Sequence, residues 1–470
     1  MTDAATQPAP RSQPASQPQP ASQPEIRQTG ALPAPGGTGK RLAWLDALRG
    51  IAALCVVFDH LTYSVLEPVR DSVYRWFDPG QYGVFVFFLV SGYIVPASLE
   101  RKGSVRGFWV SRVFRLYPLY LFALGAMVVL WASGIGSLSG MNSDVVTSSF
   151  ADVFMLQSVL WAPTMPNVVW SLAYEMVFYL MLTALFLGGV HRRSGRYALA
   201  FAAAAVGLGG VLVPGFLSHE LFSPGVVVAM ADSLVLVGLV LTLAGRGRTR
   251  TAGAVLAATT GLLLIILNGG YAASWETFTI FALMFTGTML YRAEASQFPW
   301  RRALYATILV FGLTLVAAQW HVSPIAENYV AIRKSFNSLE FAGLTFAVAM
   351  LCRHKKVPRA LAWLGLVSYS VYLLHPALIE VYTSLPWTRH VTYLPTELIL
   401  AAMFVAVLLV CCGLTHRCIE APMQRLGRRV ARWLDARFGP DVSRPSRSRP
   451  APAANELLRR GCGIHVVPAT

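Results

Sequence analysis

Long apolar runs alternate with short polar or basic breaks along most of this chain. Twelve such runs stand out, near 42–64, 80–97, 116–133, 167–189, 197–213, 225–245, 251–268, 275–291, 302–320, 335–352, 361–383 and 395–416. A bilayer core about 30 Å thick is crossed by roughly 20 apolar residues in a helix. The pattern therefore predicts an all-α protein, a polytopic transmembrane helix bundle. Several runs are short for that thickness, so ten to twelve full spans are expected.

The breaks carry a second signal. Lys40 and Arg41 precede the first run. Arg101, Lys102, Arg106, Arg112 and Arg115 follow the second, and His191, Arg192, Arg193 and Arg196 the fourth. Arg246, Arg248 and Arg250 follow the sixth, Arg301 and Arg302 the eighth, and Arg353, His354, Lys355 and Lys356 the tenth. Arg417, Arg425, Arg428 and Arg429 follow the twelfth. Every even-numbered exit is basic, whereas opposite loops such as SGIGSLSGMNS are nearly uncharged. The positive-inside rule places both termini in the cytoplasm of a multi-pass protein of the cell membrane.

Composition agrees. Of 470 residues, 55% are hydrophobic and 13% charged, and the mean hydropathy is +0.52. No ordinary soluble domain has this balance. The net charge of +16 follows from the basic loops, and no Arg cluster is interleaved with aromatics on a soluble domain, so nucleic acid is not an expected partner. Residues 1–38 are rich in Pro, Gln, Ser and Ala and read as a disordered cytoplasmic tail. Residues 39–430 form the membrane domain, and the basic segment 431–470 reads as a second disordered cytoplasmic tail. The six cysteines form no C-x-x-C pair and look like small hydrophobes, and no metal site is expected.

Ionisable groups inside spans are costly and usually functional. In LDALRGIAALCVVFDH, Arg49 and His60 are separated by ten residues. Eleven steps of roughly 100° come within roughly 20° of three turns, so both lie on one helix face, about 16 Å apart along the axis. By the loop charges, Arg49 lies toward the cytoplasm and His60 toward the outside. His60 is a candidate general base or a histidine that links two helices. Arg49 is placed to hold an anion or polarise a carbonyl, or to pair with Asp46 three residues earlier. Asp59 points one helical step away, as a rim group or orienting partner.

Glu175, in VVWSLAYEMVFYLM, reaches the depth of His60, which suggests a shared cavity; the alternative is a helix-packing hydrogen bond. Arg112 and Arg115 share a face three residues apart and either grip a phosphate or serve as topogenic charge. Ser91 and Gly92 interrupt GVFVFFLVSGYI, where small residues admit a neighbouring backbone or an acyl chain. Tyr369, Tyr372 and His375 fall on one face of the eleventh run. Asp232 is an intramembrane acid without an evident partner, and Arg417 with Glu420 is expected to form an ion pair that ends the last helix. There is no Walker-type loop, no G-x-S-x-G elbow on a soluble segment and no H-E-x-x-H motif.

Together, LDALRG with its spaced histidine, GVFVFFLVSGYI, SRVFRLYP, VVWSLAYE, SYSVYLLHP and HRCIEAP resemble, in order, the motifs of the acyltransferase-3 family of integral membrane acyltransferases. The resemblance covers about residues 41–428. It implies transfer of an acyl group, acetyl above all, from cytoplasmic acyl-CoA to a hydroxyl of a carbohydrate or glycosylated metabolite, with no permanently bound cofactor. By the same route Arg49 and His60 become the central pair, with Glu175, Arg112 and Arg115 in support: Arg112 and Arg115 would hold the acyl-CoA phosphates, and Asp46, Ser91, Tyr369 and His375 stand as secondary candidates. The family core is counted as ten spans, which sets two of the twelve runs in question, and no esterase-like domain follows the last run. Two other classes fit many spans with buried charges: a transporter or flippase for a glycan or small metabolite, and a non-catalytic partner in a surface-polymer export complex. Acyl-CoA turnover by the isolated protein separates the enzyme from both. The acceptor, the acyl length and the oligomeric state are left open by the sequence.

Overall fold

In the computed structural model, residues 42–439 and 441 are described, apart from 65, 136–144, 163–165, 271, 322–325 and 389–392. The expected tail 1–38 and most of the expected tail 431–470 lie outside the described residues. Fifteen helices follow one another: α1 (Ala43–Thr62), α2 (Glu67–Tyr74), α3 (Pro79–Lys102), α4 (Val105–Ala132), α5 (Val145–Val153), α6 (Trp170–Leu187), α7 (Ser194–Leu208), α8 (Pro224–Ala244), α9 (Gly247–Leu267), α10 (Ser274–Glu294), α11 (Trp300–His321), α12 (Ala326–Leu351), α13 (Arg359–Ser384), α14 (Leu394–Thr415) and α15 (Ala421–Phe438). No strand occurs among the described residues. Each of the twelve apolar runs is one helix; α2, α5 and α15 are additional.

Local chemistry places the breaks. Gly103 adopts the left-handed conformation, at φ 60°, that ends α3. Ser104 then caps α4 by accepting from the Gly107 amide at 2.9 Å. Asp78 caps α3 by accepting from the Gln81 amide at 2.8 Å, and proline opens α3, α8 and α14.

Eight of the twelve helices are long and apolar enough to cross a membrane by length and composition. The other four are α1, α7, α10 and α12. The helix α7 has only 15 residues, about 22 Å of rise. Most of α1 and nearly all of α10 are buried by neighbouring helices, and a helix shielded from lipid is not required to be apolar all round. The lipid-facing role falls to α8, α9, α11 and α14, whose Leu236, Val255, Ile308 and Met403 are exposed.

The basic exits gather at one end of the bundle. Arg250, in the first turn of α9, pairs with Asp441, and Asp441 also accepts from Ser104 and from the Arg106 amide. Arg292 at the close of α10 pairs with Glu100 of α3 and donates to the His191 carbonyl. Arg353 pairs with Glu294 at 2.9 Å. The opposite end is stitched separately, by Ser338 to Asp78 at 2.9 Å, Gln81 to Glu276 at 3.1 Å and the Trp161 indole to the Asn268 carbonyl at 2.7 Å. This alternation of ends is what the loop charges predict.

Two corrections concern the C-terminal boundary. The chain does not leave the domain at 430: α15 continues to Phe438, and Asp441 is buried in the ion pair with Arg250. Arg417 and Glu420 do not pair. A π-turn over His416–Glu420 widens the helix and swings Glu420 inward, where it accepts from Ser370 and lies 3.7 Å from His416, while Arg417 stays exposed.

The centre of the bundle is held by backbone-to-backbone approach at glycines. Added Cβ atoms at Gly365 of α13 and at Gly92 of α3 would overlap the carbonyls of Asp46 and Met284 respectively. Such close contact maximises dispersion where no hydrophobic effect drives helix association. Gly365→Ala is therefore expected to force α1 off α13 at a cost of about 1–3 kcal/mol, read as a lower unfolding temperature in detergent. An unchanged midpoint would show that α1 and α13 are not in this contact.

Candidate active site

Arg49 lies in the second turn of α1, on a stretch that meets α13 and α3 through Gly50 and Gly83. Its guanidinium opens on a cavity enclosed by α1, α3, α4, α6 and α13. The polar wall is built by Arg49, Ser91, Arg112, Arg115, Ser171, Glu175, Tyr179, Tyr369 and Tyr372. Ser368 adds a further hydroxyl, and the rest is apolar, with Phe87, Phe88, Leu116 and Leu172 among the lining groups. A mostly apolar cavity with a few convergent polar groups is the usual form of a small-molecule site.

Glu175 is the hub. Tyr179, one turn later on α6, donates to Oε1 at 2.5 Å, and Ser91 of α3 donates to the same oxygen at 3.1 Å. Oε2 makes no hydrogen bond among the described residues. Arg49 is within electrostatic reach of Glu175, Asp46 and Arg115. Arg112 is buried, stacked 5.3 Å from the rings of Phe108 and Tyr179, and its Nε has no hydrogen-bond partner. A buried N–H on a cation with no protein acceptor suits an anionic or carbonyl oxygen. Ser91 and Gly92 divide the two uses of a small-residue break: Ser91 faces the cavity, and Gly92 packs on α10.

His60 is placed differently from the sequence-based expectation. It sits in the last turn of α1, half-buried, with its ring 5.0 Å from that of His375. It is not among the cavity's lining residues, and Glu175 does not contact it. The two histidines approach the cavity through Tyr372, a lining residue whose ring lies 6.2 Å from His375 and 5.6 Å from Phe87. Tyr372 is itself held by Ser171 at 2.7 Å and by the Val168 carbonyl at 2.6 Å. His60 is thus linked to the cavity wall through the ring contacts His60–His375 and His375–Tyr372 and does not line the cavity itself.

His375 is fully buried. Its Nδ1 lies 3.0 Å from the Val371 carbonyl, which accepts the ring N–H, and Nε2 has no partner. Tyr369 donates to the Leu116 carbonyl at 3.0 Å. Asp59 does not line the cavity; it is buried, Tyr74 donates to it, and Asp78 and Lys334 are within its electrostatic reach. Asp232 lies away from the cavity with neither carboxylate oxygen hydrogen-bonded.

Arg112 and Arg115 face two spaces. They line the buried cavity and also a groove of about 910 Å³ between α4 and α15 at the basic end. Lys102 joins them on one wall, and Arg425, Arg428, Arg429 and Arg432 form the other; Asp435 is the one acid among the lining residues. The α15 wall was missed in the sequence as a functional element. Its signal was present in Arg425, Arg428, Arg429 and Arg432, which recur at i, i+3, i+4 and i+7. Tyr179 was missed too, although its spacing of four from Glu175 marks a shared face.

The fold and cavity define a multi-pass membrane protein with a polar site buried inside its helix bundle. The family model described as an acyltransferase domain matches residues 42–416, and the chain belongs to that family. It is 33% identical over 150 residues to the acyltransferase MdmB of Streptomyces mycarofaciens, covering 30% of this chain and 38% of that protein. It is 27% identical over 198 residues to YrhL of Bacillus subtilis (strain 168), a relative named for peptidoglycan O-acetyl transfer, covering 38% of this chain and 28% of that protein. It is 25% identical over 175 residues to SACOL0978 of Staphylococcus aureus (strain COL), named for O-acetyl transfer, covering 33% and 26%. The alignments thus span about a quarter to two-fifths of these relatives' lengths. No solved structure matches the chain.

Proposed function

We propose that the protein is a membrane O-acyltransferase that moves an acyl group, acetyl above all, from acyl-CoA to a hydroxyl of a carbohydrate or glycosylated metabolite. The family membership and the relatives named for O-acetyl transfer support the chemistry. One observation carries the reading: Arg112 and Arg115 line both an open basic groove and the enclosed cavity that holds Arg49 and Glu175. A donor with a polyanionic head and a slim uncharged arm matches that sequence of spaces. On this reading the basic end faces the cytoplasm, in line with the loop charges.

The acyl thioester enters past Arg112 and Arg115, and its carbonyl comes to lie between the ends of the Arg49 and His60 side chains, whose backbones are about 16 Å apart on α1. The guanidinium is placed to stabilise the oxyanion that forms on the thioester carbonyl. The acceptor approaches from the opposite end, beside the His60–His375 pair. Its hydroxyl oxygen attacks the carbonyl carbon while His60 takes the hydroxyl proton. The C–S bond breaks, and the departing CoA thiolate takes the proton from the His60 imidazolium. Transfer through an acyl-imidazole at His60 balances equally, and a burst of free CoA before acceptor is added would separate it from direct transfer. For either route the Tyr372 ring, which contacts both Phe87 and His375, turns aside.

The test is purified protein in liposomes with acetyl-CoA labelled in the acetyl group and a cell-wall glycan fragment or glycosylated metabolite outside. Label on the acceptor, released from it by mild base, is the expected result. Intact acetyl-CoA across every acceptor class would sink the reading.

A further inference from the structure

We propose that α15 is a nucleotide-binding wall of the donor site: Arg428 and Arg432, with Arg425 and Arg429 beside them, take the 3′-phosphate and diphosphate of coenzyme A. The inference rests on the acyl-CoA reading above and names residues outside the motifs that carried it.

Geometry comes first. The helix α15 is anchored against α4 at both ends of its groove-facing stretch. Gly427 sits on Phe114 so closely that an added Cβ would meet the ring's Cβ at 2.6 Å. Past its end, Asp441 ties Ser104, the Arg106 amide and Arg250 together. Between these anchors Arg428 and Arg432, one turn apart, face Arg112 and Arg115 across the groove. At about 910 Å³ the groove is at the upper end of the roughly 300–1,000 Å³ of small-molecule sites.

Charge comes second. Arg425, Arg428, Arg429 and Arg432 have no ion-pair partner among the described residues. Arg432 Nε reaches only the Arg428 carbonyl, at 3.4 Å. Like charges in one groove repel each other and call for a polyanion, and guanidinium forks suit phosphate oxygens. The buried Nε of Arg112, which lines the same groove and has no protein acceptor, is a second, independent group suited to an anionic oxygen.

Shape selects among phosphates. A lipid headgroup also supplies phosphate, but its two acyl chains require an apolar continuation. Arg112 and Arg115 also line the cavity that holds Arg49 and Glu175, and its free volume of about 70 Å³ has no room for two acyl chains. A nucleotide with a single narrow arm suits this pair of spaces better.

The experiment titrates full-length protein in detergent with CoA and with dephospho-CoA, which lacks the 3′-phosphate. Wild type is expected to bind CoA at least about tenfold more tightly, the worth of one charge-assisted contact. Arg428→Gln/Arg432→Gln is expected to bind both alike, at the dephospho-CoA level, with an unchanged unfolding temperature. Arg437→Gln, on the same helix but outside the groove, is expected to keep the preference. Equal binding of CoA and dephospho-CoA by wild type, or a preference that survives in the double variant, overturns the assignment. Stabilisation of wild type but not the double variant by phosphatidylglycerol over phosphatidylcholine in nanodiscs, with no CoA preference, assigns the wall to lipid and overturns it as well. Failure of wild type to bind either nucleotide removes the acyl-CoA reading itself.

Discussion

His60→Ala is expected to lower acyl transfer by about 10²–10⁴-fold, the usual share of a positioned general base, while CoA binding and membrane insertion persist. The side chain sits at the far end of α1 from the groove, and its ring touches His375. None of the hydrogen bonds that hold Glu175, Tyr369 or Tyr372 involves it. Loss of the imidazole therefore leaves the donor cavity standing, and the effect falls on turnover. The measurement is transfer of labelled acetyl at saturating donor, with CoA binding by titration on the same preparation. Undiminished transfer would take His60 out of the reaction. Loss of CoA binding in step with turnover would assign it a structural role instead.

Arg49→Gln is expected to cost about 10²–10³-fold in turnover, the scale of removing one oxyanion-stabilising donor. It is also expected to destabilise the protein by about 1–3 kcal/mol, because Glu175 loses one of the cations near it. Arg49 is within electrostatic reach of Glu175, Asp46 and Arg115. The two effects separate experimentally: Arg49→Gln combined with Glu175→Gln is expected to regain part of the lost stability and none of the lost turnover. Recovery of turnover in the double variant would show that Arg49 acts only by neutralising Glu175. Arg49→Lys is not expected to rescue, since a point charge on a flexible stem does not reproduce the planar fork.

Much of this was legible without coordinates. The twelve apolar runs each became a helix, because length and hydropathy govern a segment that must satisfy its own backbone in lipid. The charges at alternate exits anticipated which loops meet at one end of the bundle, as the Arg292–Glu100 and Arg250–Asp441 pairs record. Helical spacing placed Arg49 and His60 along one flank of α1 and put Arg112 beside Arg115. Spacing was weaker at α15, whose arginines read as loop charge until the groove gave them an opposite wall.

What sequence alone determined, then, is where the helices run and which of their exits carry the basic charge. Those quantities depend only on rise, pitch and the polarity of lipid. The tertiary structure decided the partners. Glu175 turned to Ser91 and Tyr179 rather than to His60, and Glu420 turned to Ser370 rather than to Arg417. Two groups at one depth meet only if the rotation and crossing of their helices aim them together and no third side chain stands between. That rotation is set by which glycines let backbones touch, as Gly365 does with α1 and Gly92 with α10. It is a sum over many packed neighbours, and no local stretch of sequence contains it.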